Sequence, residues 1–387
     1  MVTAPELAAA ILTIDLGAVV ANWRLLRDRL RPGAALGAAV KANAYGLGAR
    51  EVTAALAEAG CRSFFVATIE EGIEVRAVLA SATAGTGSTA AVYVLNGLLP
   101  GTDEALFAHR LTPVLNSLGD IDAWSAAARR RGASLPAALH VDTGMARLGL
   151  PADELACLVD DPGRIAGITP VLVMSHLACA DQPEHPLNEE QRAAFGQALD
   201  ALAAVLAPAR LQASLANSAG IFLGSSYHFD LARPGAALYG VGPRADGPNP
   251  MRPVVSLHAR ILQVRTIAPP KTVGYGATYA VAQPSRIATV AVGYADGYLR
   301  SLSNRGRATL GAFEVPLVGR VSMDLITVDV SAVPAAIACP GAFVELIGAA
   351  QTVDAVAERA GTIGYEILTA LGSRYARVYR GLDAQTQ

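Results

Sequence analysis

The amino-acid sequence predicts an α/β protein of two domains: a (β/α)8 TIM-type barrel over residues 1–244, then a mainly β domain over residues 245–387. Three observations carry that expectation. Through the first two-thirds of the chain, short β-rich apolar runs alternate with helix-period segments, the mark of parallel strands joined by crossover helices. Those runs number about eight, the count that closes a barrel. At Pro243-Arg244-Ala245-Asp246-Gly247-Pro248-Asn249-Pro250 the alternation ends in a turn-rich linker, and strand-like segments broken by Gly, Pro, Asn and Asp come after it.

In chain order, Asp15 is placed to cap a helix over Leu16–Leu30. The expected barrel strands are Ala34–Lys41, Ser63–Ala67, Ala91–Leu95, Thr112–Asn116, Leu135–Asp142, Ile168–His176, Arg210–Asn217 and Phe229–Arg233. Asn188 with Gln191 resembles a capping box opening a helix that runs to about Val205. An open doubly wound sheet is the competing architecture, but no Gly-x-Gly-x-x-Gly turn follows the first strand. Beyond the linker, strands are expected over Val254–Ile267, Ile287–Val292, Phe313–Leu317, Ile326–Val330 and Phe343–Ile347, with a short helix near Thr352–Ala360.

With 387 residues, 52% hydrophobic and 17% charged, the chain has the composition of a globular protein. Its 31 Lys plus Arg against 33 Asp plus Glu, with no basic block beyond Arg129-Arg130-Arg131, exclude the electrostatic footprint of a nucleic-acid binder. That triplet reads as a solvated helix face. The uncharged stretch from Ala77 to Thr102 is long enough to span a bilayer, but Ser81–Thr89 is too polar and Gly-rich for a membrane helix and reads as a surface loop. The N-terminus lacks the basic region of a secretion signal and carries Glu6 where an apolar run would begin, so a cytoplasmic location without membrane attachment is expected. Cys61, Cys157, Cys179 and Cys339 are scattered without a C-x-x-C pair, as expected of small buried hydrophobes rather than disulfides or a metal site.

Only Lys41 and Lys271 are lysines, which leaves 29 of the 31 basic residues as arginine. A chain this biased towards arginine has a use for lysine where a guanidinium fails, namely as an amine that loses its proton and acts as nucleophile or base. Lys41 is the better candidate because it ends the apolar run Ala34–Val40, where desolvation lowers an amine's pKa. Lys271 follows Pro269-Pro270 in an expected exposed loop. The bland alternative for Lys41 is a snorkelling strand-end lysine.

In a barrel of this kind the C-terminal strand ends build the active site. Here those ends carry Lys41, the Asp142–Arg147 segment, His176, Asn217-Ser218-Ala219-Gly220 and Arg233-Pro234-Gly235. Ser218, with the free backbone N–H groups of Gly235 and Ala236, makes a candidate phosphate cup without a basic side chain. An amine at one strand and a phosphate cup at the last two suggest pyridoxal phosphate. Read singly, His176 also fits a satisfied core histidine, Arg147 and Arg233 structural ion pairs, and Gly235 an ordinary turn.

The segment Val40-Lys41-Ala42-Asn43-Ala44-Tyr45-Gly46-Leu47-Gly48 resembles the cofactor-lysine motif of bacterial alanine racemases. Further matches come in the family's order, among them Asp142-Thr143-Gly144-Met145-Ala146-Arg147, Ala216-Asn217-Ser218-Ala219-Gly220, Arg233-Pro234-Gly235-Ala236, Gly274-Tyr275-Gly276-Ala277-Thr278-Tyr279, Gly293-Tyr294-Ala295-Asp296-Gly297 and Arg320-Val321-Ser322-Met323-Asp324. The resemblance implies that Lys41 carries pyridoxal 5'-phosphate as a Schiff base and acts on D-alanine. It implies that Tyr275 is the second base, acting on L-alanine. A free tyrosine near pKa 10 is a poor base, and the family sets a His176–Arg233 chain close enough to help. Arg233 would face the pyridine nitrogen without giving it a proton. Arg147 would contact the cofactor's phenolic oxygen and the substrate carboxylate, and the Met323 N–H would bind that carboxylate beside Asp324. Tyr45, Asn217, Ser218, Gly235, Ala236 and Tyr365 would surround the cofactor, and Tyr294 and Tyr365 would narrow the mouth.

The same resemblance implies a homodimer with shared active sites, each β domain capping its partner's barrel, and a supply of D-alanine for peptidoglycan synthesis. Two departures stand out: His140 occupies the position of a carbamylated lysine in several relatives, and Ser322 replaces a common cysteine. A fold-related decarboxylase and a barrel-only cofactor carrier are the competing functions; Arg233 argues against the first, and the second domain with Tyr275 against the other.

Overall fold

Eight short parallel segments form a ring in the first part of the chain, in a computed structural model that describes residues 7–82, 90–206 and 211–381. The first barrel strand is split at Gly37 into Ala35–Leu36 and Ala38–Ala39. Its first half pairs with Leu231–Ala232 and its second with Ser63–Val66. From there the ladder runs through Ala91–Val94, Thr112–Leu115, Leu135–His140, Ile168–Met174 and Gln212–Ser214. The seam closes through Asp230 N–H to Ala213 O and Arg233 N–H to Ala216 O, both 2.9 Å. Gly37 is required at the split, since a Cβ there would lie 2.9 Å from the Phe65 ring and from Ser63 O.

Barrel strands buried on both faces are apolar along their whole length, and Phe64, Phe65 and Val66 are all buried. The expected strands are present and shorter by a few residues, because the ladder stops where the chain turns out to build the cavity. Arg210, the expected start of the seventh, lies outside the described residues. Asp15 caps the helix Leu16–Asp28 with Oδ1 accepting Ala18 N–H at 2.7 Å.

The second sheet is organised by the 13-residue strand Val255–Ile267, which pairs antiparallel with Ala10–Asp15, Ser285–Val290 and Phe343–Ile347. Ile326–Asp329 pairs with Ser285–Val290, and Arg307–Leu310 forms a hairpin with Phe313–Pro316. The helix Val353–Ala360 is capped by Thr352 Oγ1. Ala10–Asp15, Arg307–Leu310, Ala376–Arg380 and the helix Gly364–Ala370 had no counterpart in the sequence reading. Ala10–Asp15 is the most consequential of these. It lies between Val255–Ile267 and, in parallel, Ala376–Arg380, so the first described strand belongs to the second sheet and the chain crosses to the barrel after it.

Several local expectations are corrected. Asn188 lies inside the helix Leu187–Leu206 and donates to Gln182 O, while Gln191 accepts Ala178 N–H and donates to His176 O, so the pair braces a cavity loop and is no capping box. Only Cys61 is buried; Cys157 and Cys339 are exposed, and all four are free thiols. The arginine triplet is a solvated face at Arg129 and Arg130, while the half-buried Arg131 pairs with Asp103 and Glu104 of the helix Asp103–Ala108, Asp103 also accepting Arg130. Ser81 belongs to the helix Ile69–Ala82, and residues 83–89 of the expected loop lie outside the described residues. Among the described residues no helix is long and apolar enough to cross a membrane.

Candidate active site

The C-terminal ends of the barrel strands open on one cavity of about 670 Å³. Lys41, Tyr45, Arg147, His176, Asn217, Ser218, Arg233, Gly235 and Ala236 all line it from the barrel, and Tyr365 lines it from the helix Gly364–Ala370.

Lys41 follows the last rung of the first strand, where Val40 N–H reaches Phe65 O at 2.9 Å. The chain then makes a left-handed turn: Ala42, Asn43, Ala44 and Tyr45 have φ between 52° and 56°. Each such non-glycine residue costs roughly 1–2 kcal/mol. Hydrogen bonds offset that strain, Ala44 N–H to Val40 O at 2.8 Å and Asn43 Oδ1 accepting Ala49 N–H at 2.7 Å. The last strand holds the exit of the turn, with Arg377 Nη1 on Gly46 O at 2.7 Å and Tyr379 OH on Leu47 O at 3.0 Å. Burial lowers the Lys41 pKa, and the charge of Arg147 lowers it further, against an opposing pull from Glu71.

Opposite Lys41, Ser218 Oγ accepts Gly235 N–H at 2.9 Å and Ala237 N–H at 3.3 Å. With both lone pairs engaged, its own O–H is left to donate. A Cβ on Gly235 would stand 2.2 Å from the Tyr45 hydroxyl. Tyr45 is itself wedged beside Tyr239 and Tyr365, with ring centroids 4.8 and 6.0 Å away. Asn217 spends its amide on the loop, accepting Gly220 N–H and donating to Leu177 O.

Arg233 is 5% exposed, and burial pulls it down to about 9. Its Nη1 donates to Ser214 Oγ, and its Nη2 donates to Ser175 O at 2.5 Å and to His176 Nδ1 at 3.4 Å. An arginine only donates, so the His176 proton sits on Nε2. Burial first, then the charges of Arg233, Arg147 and Lys41, hold His176 well below its usual pKa and keep it neutral. Among the described residues neither Arg147 nor Arg233 forms an ion pair, which removes the structural alternative for both. His140 also lines the cavity, its Nδ1 2.8 Å from Asn116 Oδ1.

Four expected residues lie elsewhere. Tyr275 begins a single 3-10 turn between Gly274 and Gly276 and is 72% exposed. Tyr294 and Met323 are 42% and 54% exposed and share one cluster, with Tyr294 N–H on Ser322 O and Ala295 N–H on Met323 O. Gly293 makes this contact possible, since a Cβ there would stand 2.3 Å from Met323 O. Asp324 Oδ1 accepts Arg374 Nη1 at 2.7 Å, and Arg374 Nε also reaches the buried Asp296 at 3.1 Å. None of these four lines the cavity of its own chain.

The sequence reading missed Asn116 and Glu71. Glu71 Oε1 accepts Ala42 N–H at 2.7 Å, directly behind Lys41. The spacing Thr68-x-x-Glu71 was a legible helix-start signature, but nothing local in it points to Lys41.

Comparison with known proteins places this geometry in context. The family described as alanine racemase, N-terminal domain, matches residues 14–243, and alanine racemase, C-terminal domain, matches residues 254–379. An alanine racemase of Rhodospirillum rubrum is 55% identical over 375 residues, 97% of each chain. A protein of Agrobacterium fabrum named alanine racemase, catabolic, is 48% identical over 96% of this chain and 92% of its own. A Bartonella henselae alanine racemase, solved with covalently bound pyridoxal phosphate, superposes with a TM-score of 0.89 at 41% identity, covering 96% of this chain and all of that one.

Proposed function

The chain belongs to the alanine racemase family, and from that membership we propose that it interconverts L- and D-alanine with Lys41 and Tyr275 as the two bases at Cα. It is an isomerase, and its cofactor is pyridoxal 5'-phosphate. The residues present suit that group: a desolvated amine at Lys41, a hydroxyl free to donate at Ser218, and a Cβ-less surface at Gly235. Lys41 and Tyr45, with Ser218, Gly235, Ala236, Asn217 and Tyr365, would hold it, with Arg147 at its phenolic oxygen and Arg233 and His176 on its ring side. The observation that carries the reading is Lys41, less basic than a free lysine, facing the Ser218 cup across one cavity.

When bound, pyridoxal phosphate supplies the electron sink that makes the alanine Cα–H acidic. Lys41 takes or returns that proton on one face, acting on D-alanine, and Tyr275 of a second copy does so on the opposite face, acting on L-alanine. Bases on opposite faces invert the centre. Arg233 stays charged at neutral pH and, beside the ring nitrogen, would give it no proton, which would favour simple proton return. Arg147 and, from the second copy, the Met323 N–H bind the substrate carboxylate beside that copy's Asp324, whose own carboxylate is engaged by Arg374. Tyr365, with Tyr294 of the second copy, restricts the mouth to a small side chain.

The exposure of Tyr275 and Met323 supports a homodimer in which the β-rich second domain of one copy caps the barrel of the other. The unpaired cysteines support a reducing, cytoplasmic setting. We further infer that the D-alanine feeds peptidoglycan synthesis; the Agrobacterium fabrum relative supports a catabolic role as the second reading.

In deuterium oxide either alanine enantiomer should gain deuterium at Cα with inversion and no release of carbon dioxide. Borohydride should fix the cofactor to Lys41, and Lys41→Arg should abolish both fixation and turnover. Label on Lys271, or carbon dioxide from alanine, would sink the reading. Loss of the gene from its own host should create a requirement for D-alanine if the role is biosynthetic, whereas a defect confined to growth on alanine would support the catabolic one.

A further inference from the structure

The ladder between the first two barrel strands runs Ala38 to Phe64 and Ala39 to Phe65, then ends with Val40 N–H on Phe65 O. Past that rung the first strand enters its left-handed turn, so Ala42 and Ala67, at the two ends, have no strand partner to serve their N–H groups. Glu71 meets both. From the first turn of the helix Ile69–Ala82 its Oε1 accepts Ala42 N–H at 2.7 Å, while Oε2 accepts Ala67 N–H at 2.8 Å and Thr68 N–H at 3.5 Å. We infer that Glu71 is a positioning residue for Lys41, its carboxylate replacing the missing rung and fixing the backbone from which the amine enters the cavity.

A carboxylate is needed because both of its oxygens face N–H donors. A glutamine would present one oxygen and one NH2, and the NH2 would oppose a second donor. A cap for the helix alone would need no charge, and Thr68 Oγ1 already serves Glu71 N–H at 3.4 Å. The charge has a further consequence. The groups acting on the Lys41 amine are the cation Arg147 and, in the opposite sense, Glu71, with His176 neutral beside it and Arg233 beyond. Glu71 thus keeps the amine from becoming too weak a base. Its value for racemisation rests on Lys41 being the cofactor-bearing amine.

The chain's two lysines allow a direct test on the full-length protein freed of cofactor. Trace acetylation with acetic anhydride across pH, read by peptide mass, compares Lys41 with the exposed Lys271 in the same sample. Glu71→Gln should raise the Lys41 to Lys271 reactivity ratio below the Lys41 midpoint, the larger neutral fraction outweighing the weaker nucleophile, and lower kcat for alanine about tenfold with little change in KM. Glu70→Gln, one residue away and exposed, should change neither. A Glu71→Gln ratio equal to the parent's would overturn the inference. Should that variant be insoluble, Glu71→Asp keeps the charge but its shorter reach leaves one amide unserved, and an unchanged kcat would overturn the inference equally. Borohydride mapping of the parent separates the two levels: label on Lys271 defeats the proposed function itself, whereas label on Lys41 with an indifferent Glu71→Gln defeats only the role of Glu71.

Discussion

His140 is 8% exposed, its Nδ1 shares a hydrogen bond with Asn116, and burial first, then the charge of Arg233, pulls it down to about 4. In the unfolded chain it titrates near 6.5. Between those values the unfolded state binds more protons, so the stability His140 contributes is complete above pH 6.5 and is lost as pH falls towards 4. Urea titrations should show a loss of about 2 kcal/mol between pH 6.5 and pH 5 from this residue. His140→Gln, which keeps a partner for Asn116, should flatten that part of the profile. A slope equal to the parent's would assign the loss to His176, which burial holds in the same direction. The motif at Asp142 was legible at this scale; the Asn116 partner was not, because it comes from the neighbouring strand end, 24 residues earlier in the chain.

The segments at the strand ends depend on a few close approaches of backbone. Gly235 precedes the short turn Ala236–Tyr239 under the Tyr45 ring. Tyr45 is flanked by Tyr239 and Tyr365, so it can yield only towards the cavity, into the space the cofactor needs. Gly235→Ala should therefore cost about 1–3 kcal/mol by overpacking and weaken pyridoxal phosphate binding, seen together as a lower melting temperature and a smaller cofactor content after dialysis. Unchanged values for both would mean that Tyr45 moves freely. The sequence reading placed the barrel strands well because apolar runs ending in Lys41, His176 or Arg233 announce where burial stops. It misread Asn188 because a polar residue three before a glutamine looks the same whether it caps a helix or braces a loop.

In the whole molecule, two long-range arrangements decide behaviour. The strand Ala10–Asp15 pairs with Ala376–Arg380 and with the central strand of the second sheet, with Leu12 and Ile14 fully buried. Leu12→Ala should cost about 2–5 kcal/mol and, because the last strand also holds Gly46 and Leu47, should loosen the Lys41 turn; thermal unfolding and hydrogen exchange across residues 41–48 check both. The second arrangement is the proposed sharing of bases between copies. Inactive Lys41→Ala and Tyr275→Phe chains, reassembled together, should form mixed dimers with one intact and one doubly damaged site, since a C2 dimer repeats the contact twice. Partial recovery of activity is expected. Mass-verified mixed dimers as inactive as either parent would assign both bases to one chain.

Residue chemistry and local periodicity were enough to determine the barrel, the β-rich second domain and the cavity wall at Lys41, Ser218, Gly235 and Arg233, because parallel strands end together and the residues just past those ends must share one mouth. Only the tertiary structure decided the rest. That Ala10–Asp15 joins the far sheet, that Glu71 completes the ladder behind Lys41, and that Tyr275, Tyr294 and Met323 stand away from their own cavity all depend on which segments meet across long loops. Such pairings are set by burial and by the demand that every backbone N–H find an acceptor, and neither is written in a local pattern.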